Sequence, residues 1–381
     1  MSRPGLVDIT NECTFEPAHD TLITKNTTVN VIYNGEVIHQ EELYCYTNTL
    51  FNFPYNVSDK VTNCTYMFST CYNFNQPITI PDNVTTTLGM FYLCYNFNQP
   101  ITIPNNVANT AYMFMGCSNF NQSITIPDNV TNTAGMFRNC YNFNYPIAIP
   151  DNVTNTVDMF MNCRKFNHQI IIPDNVTNTS NMFMGCSYFN QSITIPDNVT
   201  TTIGMFNGCL NFNQPITIPN NVHITANMFV ACLNFNQPIT LTNNVINIIY
   251  MFQSCYNFNQ PINLPNRISS CYCTFQSCYN FNQPITIPDN VTNTGYMFYN
   301  CYHLNQNIYI KSTKITYIRY MLYNHNNLQQ INLFCTNLGS LNKTTSGTSL
   351  TGTEITWVPI TNGYFNATYN IYLYNNLPDG I

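Results

Sequence analysis

Apolar residues recur along this chain with a period of 23 positions, far longer than the 3.6 of a lone helix or the 2 of a lone strand. One copy reads Met90-Phe91-x-x-Cys94-Tyr95-Asn96-Phe97-Asn98-Gln99-Pro100-Ile101-Thr102-Ile103-Pro104, followed by Asn-Asn-Val and a polar step into the next Met-Phe. The cysteine of this phrase returns at Cys71, Cys94, Cys117, Cys140, Cys163, Cys186, Cys209, Cys232, Cys255, Cys278 and Cys301. Self-similarity at a fixed period of this size marks a solenoid, because one unit cannot bury its apolar face until a neighbour stacks on it.

Within a repeat the pattern changes twice. In Ile78-Thr79-Ile80 the apolar residues alternate with a polar one, which predicts a short strand with Ile inward and Thr outward, bracketed by Pro77 and Pro81. Pro81-Asp82-Asn83 is turn chemistry. Phe91 and Cys94 are three apart and Met90 and Cys94 four apart, the spacing of one helical turn with an apolar face, and the preceding Thr residues are placed to cap its free N–H groups. The expected coil therefore has one short parallel strand and one turn of helix.

The ends depart from the phrase. Residues 1–42 hold seven acidic and two basic residues, and so most of the net charge of -6. Inside them, alternating apolar positions flank Asn34-Gly35, the strongest short-range signal for a β-hairpin. This segment is expected to be an acidic cap or docking element. Residues 43–335 make a solenoid of about 12–13 coils by the 23-residue count, beginning with a degenerate copy at Phe51-Asn52. Residues 336–381 open with a Gly/Ser/Thr-rich linker and close on Trp357-Val358-Pro359 and a Tyr/Ile alternation, expected to form a β cap or an attachment segment.

Residue by residue, Ile-Thr-Ile-Pro-Asp-Asn-Val-Thr followed by an aromatic and Cys resembles the BspA-type repeats of surface proteins. Phe-Asn-Gln-Pro-Ile joined to Ile-Pro-x-x-Val-Thr is similar to FNIP repeats, and Asn-Val-Thr-Asn-Thr-x-x-Met-Phe resembles related surface-protein repeats. The resemblance covers about residues 43–330 and implies a leucine-rich-repeat-like solenoid. For BspA-type proteins it implies adhesion work, accompanied there by secretion signals; for FNIP-type proteins it implies no defined activity.

Only 7% of the residues are charged, against roughly 25% in an average protein. The 11 Lys and Arg form neither a basic stripe for nucleic acid nor a polybasic patch for anionic lipid, so both partners are excluded. No apolar run reaches membrane-helix length, and residues 1–8 lack the apolar core of a signal peptide. The expected location is a virion or the cytoplasm rather than a cell surface reached by the usual route. Stacked coils bring the ladder cysteines into parallel alignment, a poor fit to disulfide torsions, so these residues are expected to be buried reduced thiols.

Three columns carry the candidate chemistry. Thr79, Thr102, Thr125, Thr194, Thr217, Thr240 and Thr286 form an outward row, broken by Ala148, Ile171 and Asn263, and are a candidate binding face. Tyr72, Tyr95, Tyr141, Tyr256, Tyr279 and Tyr302 directly follow the ladder cysteine and read either as shields over the core edge or as rings that stack on sugars. Ser118, Arg164, Ser187, Leu210 and Leu233 break that row. The turn column from Asp82 to Asp289 reads as plain turn residues rather than a calcium site.

Neither the six histidines nor Cys271-Tyr272-Cys273 with Cys278 assembles a catalytic or four-ligand metal set, and no Gly-rich phosphate loop exists. No cofactor, no metal and no enzymatic activity are expected. The uniformity of the Thr row points to repeated weak contacts with a surface glycan or protein, as in a recognition or adhesion solenoid on a virion or phage. The alternatives are a structural spacer that self-associates or meets particle neighbours through its terminal segments, and an intracellular adaptor.

Overall fold

The computed structural model describes residues 14–17, 27–33, 36–43, 52, 54–323, 332–335 and 370–373. The chain falls into two compact units, Met1–Val176 and Thr177–Ile381. Each is a stack of 23-residue coils, and the fold is the repeat solenoid of leucine-rich-repeat type.

The first unit opens with a three-stranded antiparallel sheet of β1 (Thr14–Pro17), β2 (Thr27–Tyr33) and β3 (Glu36–Leu43) in the order β1-β2-β3. The β2–β3 register pairs Tyr33 with Glu36 across Asn34-Gly35, with an irregularity between Val31 and Ile32. The strand β1 carries no alternation that its sequence makes visible. Of the C-terminal expectations, the linker at 339–352 and Trp357-Val358-Pro359 lie outside the described residues.

The helical turn expected in each coil is realised as overlapping reverse turns. Met90 N–H bonds Thr87 C=O, Tyr92 N–H bonds Gly89 C=O and Cys94 N–H bonds Phe91 C=O, each three residues back, at 2.9–3.0 Å. Between them lie left-handed residues, Gly89 at φ 58° and Leu93 at φ 61°. A positive φ at the third residue is what a type II turn requires. This geometry frees alternate N–H groups to point along the stack: Thr87, Gly89, Phe91 and Leu93 donate to Asn109, Ala111, Met113 and Met115 of the next coil at 2.7–3.0 Å. A helix would have consumed those donors internally; the turns use them to join coils.

The Ile-Thr-Ile segments also differ from expectation. They keep the inward-outward alternation, with Ile101 and Ile103 buried and Thr102 exposed. Pairing as strands, however, begins among the described residues only at β4 (Ile285–Ile287), which lies in the second unit and runs parallel to β5 (Ile308–Ile310), β6 (Asn332–Cys335) and β7 (Asn370–Leu373) in the order β4-β5-β6-β7. One difference lies at Lys311. Its N–H donates to Ile287 C=O at 3.0 Å, whereas most other coils place a proline at this position, with no N–H to give. β7 continues this sheet by parallel pairing with β6.

Each core is built on phenylalanine. In the first unit Phe91 stacks on Phe114 at 5.7 Å and Phe97 on Phe120 at 6.1 Å, while Phe91 and Phe97 of one coil meet at 4.1 Å. The second unit repeats this with Phe206, Phe229 and Phe252 beside Phe212, Phe235 and Phe258. Stacked rings of this kind are worth about 0.5–1.5 kcal/mol per pair beyond their burial.

Candidate functional site

The threonine row is positioned by its neighbours. Burial of the two flanking isoleucines fixes the outward direction of the residue between them. Thr79, Thr102 and Thr125 are exposed in the first unit, and Thr194, Thr217 and Thr240 in the second. Thr286 is half-buried, held at the centre of β4 in register with Tyr309. In the first unit the row lies in an open groove of about 820 Å³ lined by Ile78, Thr79, Ile101, Thr102, Ile124 and Thr125, with the Pro100 and Pro104 rings at its sides. The interruptions are equally outward, and Ile171 is 82% exposed.

The tyrosine row forms stacks rather than isolated rings. Tyr72 lies on Tyr95 at 4.9 Å with 10° between the planes, and in the second unit Tyr256, Tyr279 and Tyr302 stack at 4.2 and 4.9 Å. Tyr279 is held toward its neutral form, first by its hydrogen bond with Tyr256 and then by partial desolvation. Where the row departs from tyrosine, Arg164 lies over the Tyr141 ring at 4.7 Å. Nearby Arg138 pairs with Asp158 of the following coil at 2.9 Å.

The ladder cysteines from Cys71 to Cys301 are buried and free of disulfides. Most of these thiols hydrogen-bond backward: Cys94 Sγ–H donates to Phe68 C=O at 2.9 Å, Cys117 to Phe91 and Cys140 to Phe114 at 3.0 Å, and Cys209 to Phe183 at 3.0 Å. Burial pushes the Cys117, Cys140 and Cys209 thiols up, far from the ionised form that nucleophilic or metal chemistry needs. Cys273 and Cys64, pushed up to about 11 and about 12 by the same desolvation, follow suit.

The turn residues Asp82, Asn105, Asp128, Asp151, Asp174, Asp197, Asn220, Asn243, Asn266 and Asp289 are all exposed. Most of their backbone carbonyls receive the amide of the next coil's Asn, as when Asn106 Nδ2 donates to Asp82 C=O at 2.8 Å. Cys271, Cys273 and Cys278 are buried in separate roles, Cys271 standing in the column that Thr87 occupies elsewhere.

Two columns escaped the reading of the sequence. The Asn of Phe-Asn-Gln is a ladder: Asn75 Oδ1 accepts the backbone N–H of Asn98, and Asn98 Oδ1 that of Asn121, both at 2.8 Å. The following Gln adds a second donor, Gln99 Nε2 reaching Asn75 C=O at 3.0 Å. The Thr ahead of Met-Phe does not cap a helix; Thr87 is buried with its hydroxyl on Met113 Sδ at 3.3 Å. The capping bond comes one residue earlier: Leu88 N–H donates to Thr86 Oγ1 at 3.3 Å and Ala111 N–H to Asn109 Oδ1 at 3.0 Å. Its signal was the recurrence of Asn and Thr in the column of residues 63, 86, 109 and 132.

A family described as Mycoplasma protein of unknown function, DUF285, matches residues 53–126, 103–194, 173–263, 196–286 and 241–333. No curated protein matches the chain. Among solved structures the chain is similar to a leucine rich cell surface protein from Faecalibacterium prausnitzii A2-165, with 19% identity, 85% of this chain and 97% of that chain covered, and a TM-score of 0.47. It is also similar to a leucine-rich repeat protein from Bacteroides ovatus ATCC 8483, with 18% identity, 91% and 99% covered, and a TM-score of 0.49. A leucine-rich repeat protein from Eubacterium ventriosum ATCC 27560 shows 19% identity, 71% and 82% covered, and a TM-score of 0.46.

Proposed function

The chain belongs to the family described as Mycoplasma protein of unknown function, DUF285, and from that premise we propose that it is a non-enzymatic recognition protein that holds a repetitive surface ligand by many weak contacts. The observation that carries this reading is the groove over Thr79, Thr102 and Thr125, where one hydroxyl per coil is offered at constant spacing between buried isoleucines. A polymer with a regular array of hydrogen-bonding groups gains one contact per coil, and its avidity rises with the number engaged. A surface glycan fits this description better than a folded protein, whose interface would call for a few dominant aromatic or Arg anchors in pockets. The buried, neutral thiols and the dispersed histidines support a non-catalytic role. Presentation on a virion is part of the same proposal, and the terminal segments at 1–42 and 336–381 are its proposed anchors.

The experiment is a glycan and glycoprotein array probed with the full chain and with the Thr102→Lys/Thr125→Lys variant. Both positions are exposed, so the variant keeps its melting temperature. Binding by the full chain to a polymeric glycan, lost in the variant, supports the reading; retention by the variant contradicts it. Sedimentation or light scattering that finds concentration-dependent self-association through the ends, with no glycan bound, favours the spacer alternative instead.

A further inference from the structure

The tyrosine stack of the first unit has a missing rung. Tyr95 stacks on Tyr72 through one face, with planes within 10° of parallel, so its other face looks toward the next coil. There the column holds Ser118. One coil further, Tyr141 is covered on its far face by Arg164 at 4.7 Å, so its near face looks back toward Ser118. Two tyrosine rings thus flank an empty step, 42% and 38% exposed.

The polar rim breaks at the same step. Asn96 Nδ2 donates to Asn73 Oδ1 at 3.0 Å and Asn119 Nδ2 to Asn96 Oδ1 at 3.2 Å. Asn142 does not continue the series: its Nδ2 turns to Ser118 C=O at 3.0 Å, leaving Asn119 Oδ1 without the amide donor that its counterparts receive. Ser118 Oγ–H is committed to Tyr95 C=O at 3.2 Å, which keeps the serine down as the floor of the gap with its lone pairs outward.

We infer that the step between Tyr95 and Tyr141 is a binding slot for a single pyranose ring, its two C–H faces against the tyrosines and a hydroxyl on Asn119 Oδ1 or Ser118 Oγ. The rim decides between a sugar and a flat aromatic ring, because either can face a tyrosine one coil step away, as Tyr95 faces Tyr72 at 4.9 Å. The rim of serine and asparagine supplies the acceptors that sugar hydroxyls need and an aromatic ring does not use. This inference deepens the glycan reading, and it assigns the ring contact to a place apart from the threonine groove.

The test is saturation-transfer NMR on the full chain with methyl glycosides of glucose, galactose, mannose and N-acetylglucosamine, and with N-acetylphenylalanine amide as the flat-ring probe. Ser118→Tyr completes the stack with the residue the column carries in other coils, so it folds. The expected result is ring C–H saturation for at least one glycoside, weakened at least tenfold in Ser118→Tyr and in Tyr95→Ala, and kept within about threefold in Ser118→Ala. No glycoside saturated, unchanged binding in Ser118→Tyr, or stronger binding of the phenylalanine amide overturns the inference. A monosaccharide occupies one step only, so the slot is read separately from polymer binding: glycoside binding by a chain that fails on polymers upholds the slot and sinks the groove reading.

Discussion

Asn98 Oδ1 accepts the backbone N–H of Asn121 at 2.8 Å, from one coil to the next, and Gln122 Nε2 at 3.1 Å on the same oxygen. One side-chain atom thus stands in for the strand hydrogen bonding that the neighbouring Ile-Thr-Ile segments lack. Asn98→Ala orphans a part-buried N–H and should cost about 1–3 kcal/mol. Asn98→Asp keeps an acceptor for both donors and should cost clearly less. Urea denaturation of the two variants checks the order, and equal losses would show that the amide serves only as filler.

The Tyr66 ring lies against Gly89 so closely that a Cβ there would overlap its Cε1, at a residue with φ 58°. Gly89→Ala therefore clashes as well as straining the backbone, the strain alone being about 1–2 kcal/mol. Tyr66→Ala in the same chain removes the clash and leaves the strain. Thermal melts should show the double variant more stable than Gly89→Ala alone, a favourable coupling in the mutant cycle.

Phe120 contacts Phe97, Phe114, Phe137 and Phe143, so its loss opens a cavity touching three coils. Phe120→Ala should destabilise by about 3–5 kcal/mol. Replacing exposed Tyr145 by Ala should change the melting temperature by little, and comparable shifts for the two would argue against a phenylalanine-built core.

The buried thiols make a prediction about alkali. Their ionisation is raised in the folded chain, to about 11 for Cys273 and about 12 for Cys64, whereas unfolded thiols ionise near ~8.5. Below that value both states are protonated and the thiols contribute no pH dependence. Above it the unfolded chain loses protons that the folded chain keeps, so stability falls as pH rises through about 9 toward 11 and 12. Melting curves from pH 7 to 11, with thiolate absorbance recorded alongside, test this; a flat profile would mean that the ladder is open to solvent.

The sequence made the columns legible because a 23-residue period aligns every side chain with its counterpart, and burial follows the column rather than local propensity. That is why the cysteine, isoleucine and threonine rows stand where spacing put them. Local conformation was harder. Met90, Phe91 and Cys94 satisfy the spacing of a helical turn, and they equally satisfy a chain of reverse turns; the deciding mark was the column through Tyr66, Gly89 and Tyr112, each at positive φ. Where strands pair, the N–H of Lys311 takes part, at a position that holds a proline without an N–H in most other coils. The asparagine ladder was hidden because Phe-Asn-Gln reads as a polar loop until coils are stacked, and β1 (Thr14–Pro17) because its neighbours pair with it only through the fold. Ser118 was visible as a break in the tyrosine row, but the slot it opens needed the orientation of Tyr95 and Tyr141.

The most direct test of the recognition account is the affinity of the full chain for one glycan as a series of increasing length, from monosaccharide to polymer, by calorimetry. The account predicts affinity that climbs with each added unit as further coils engage, by ten- to hundredfold or more over the series, and a slope flattened by Thr102→Lys/Thr125→Lys. Affinity independent of length, or a slope unchanged in that variant, would contradict it.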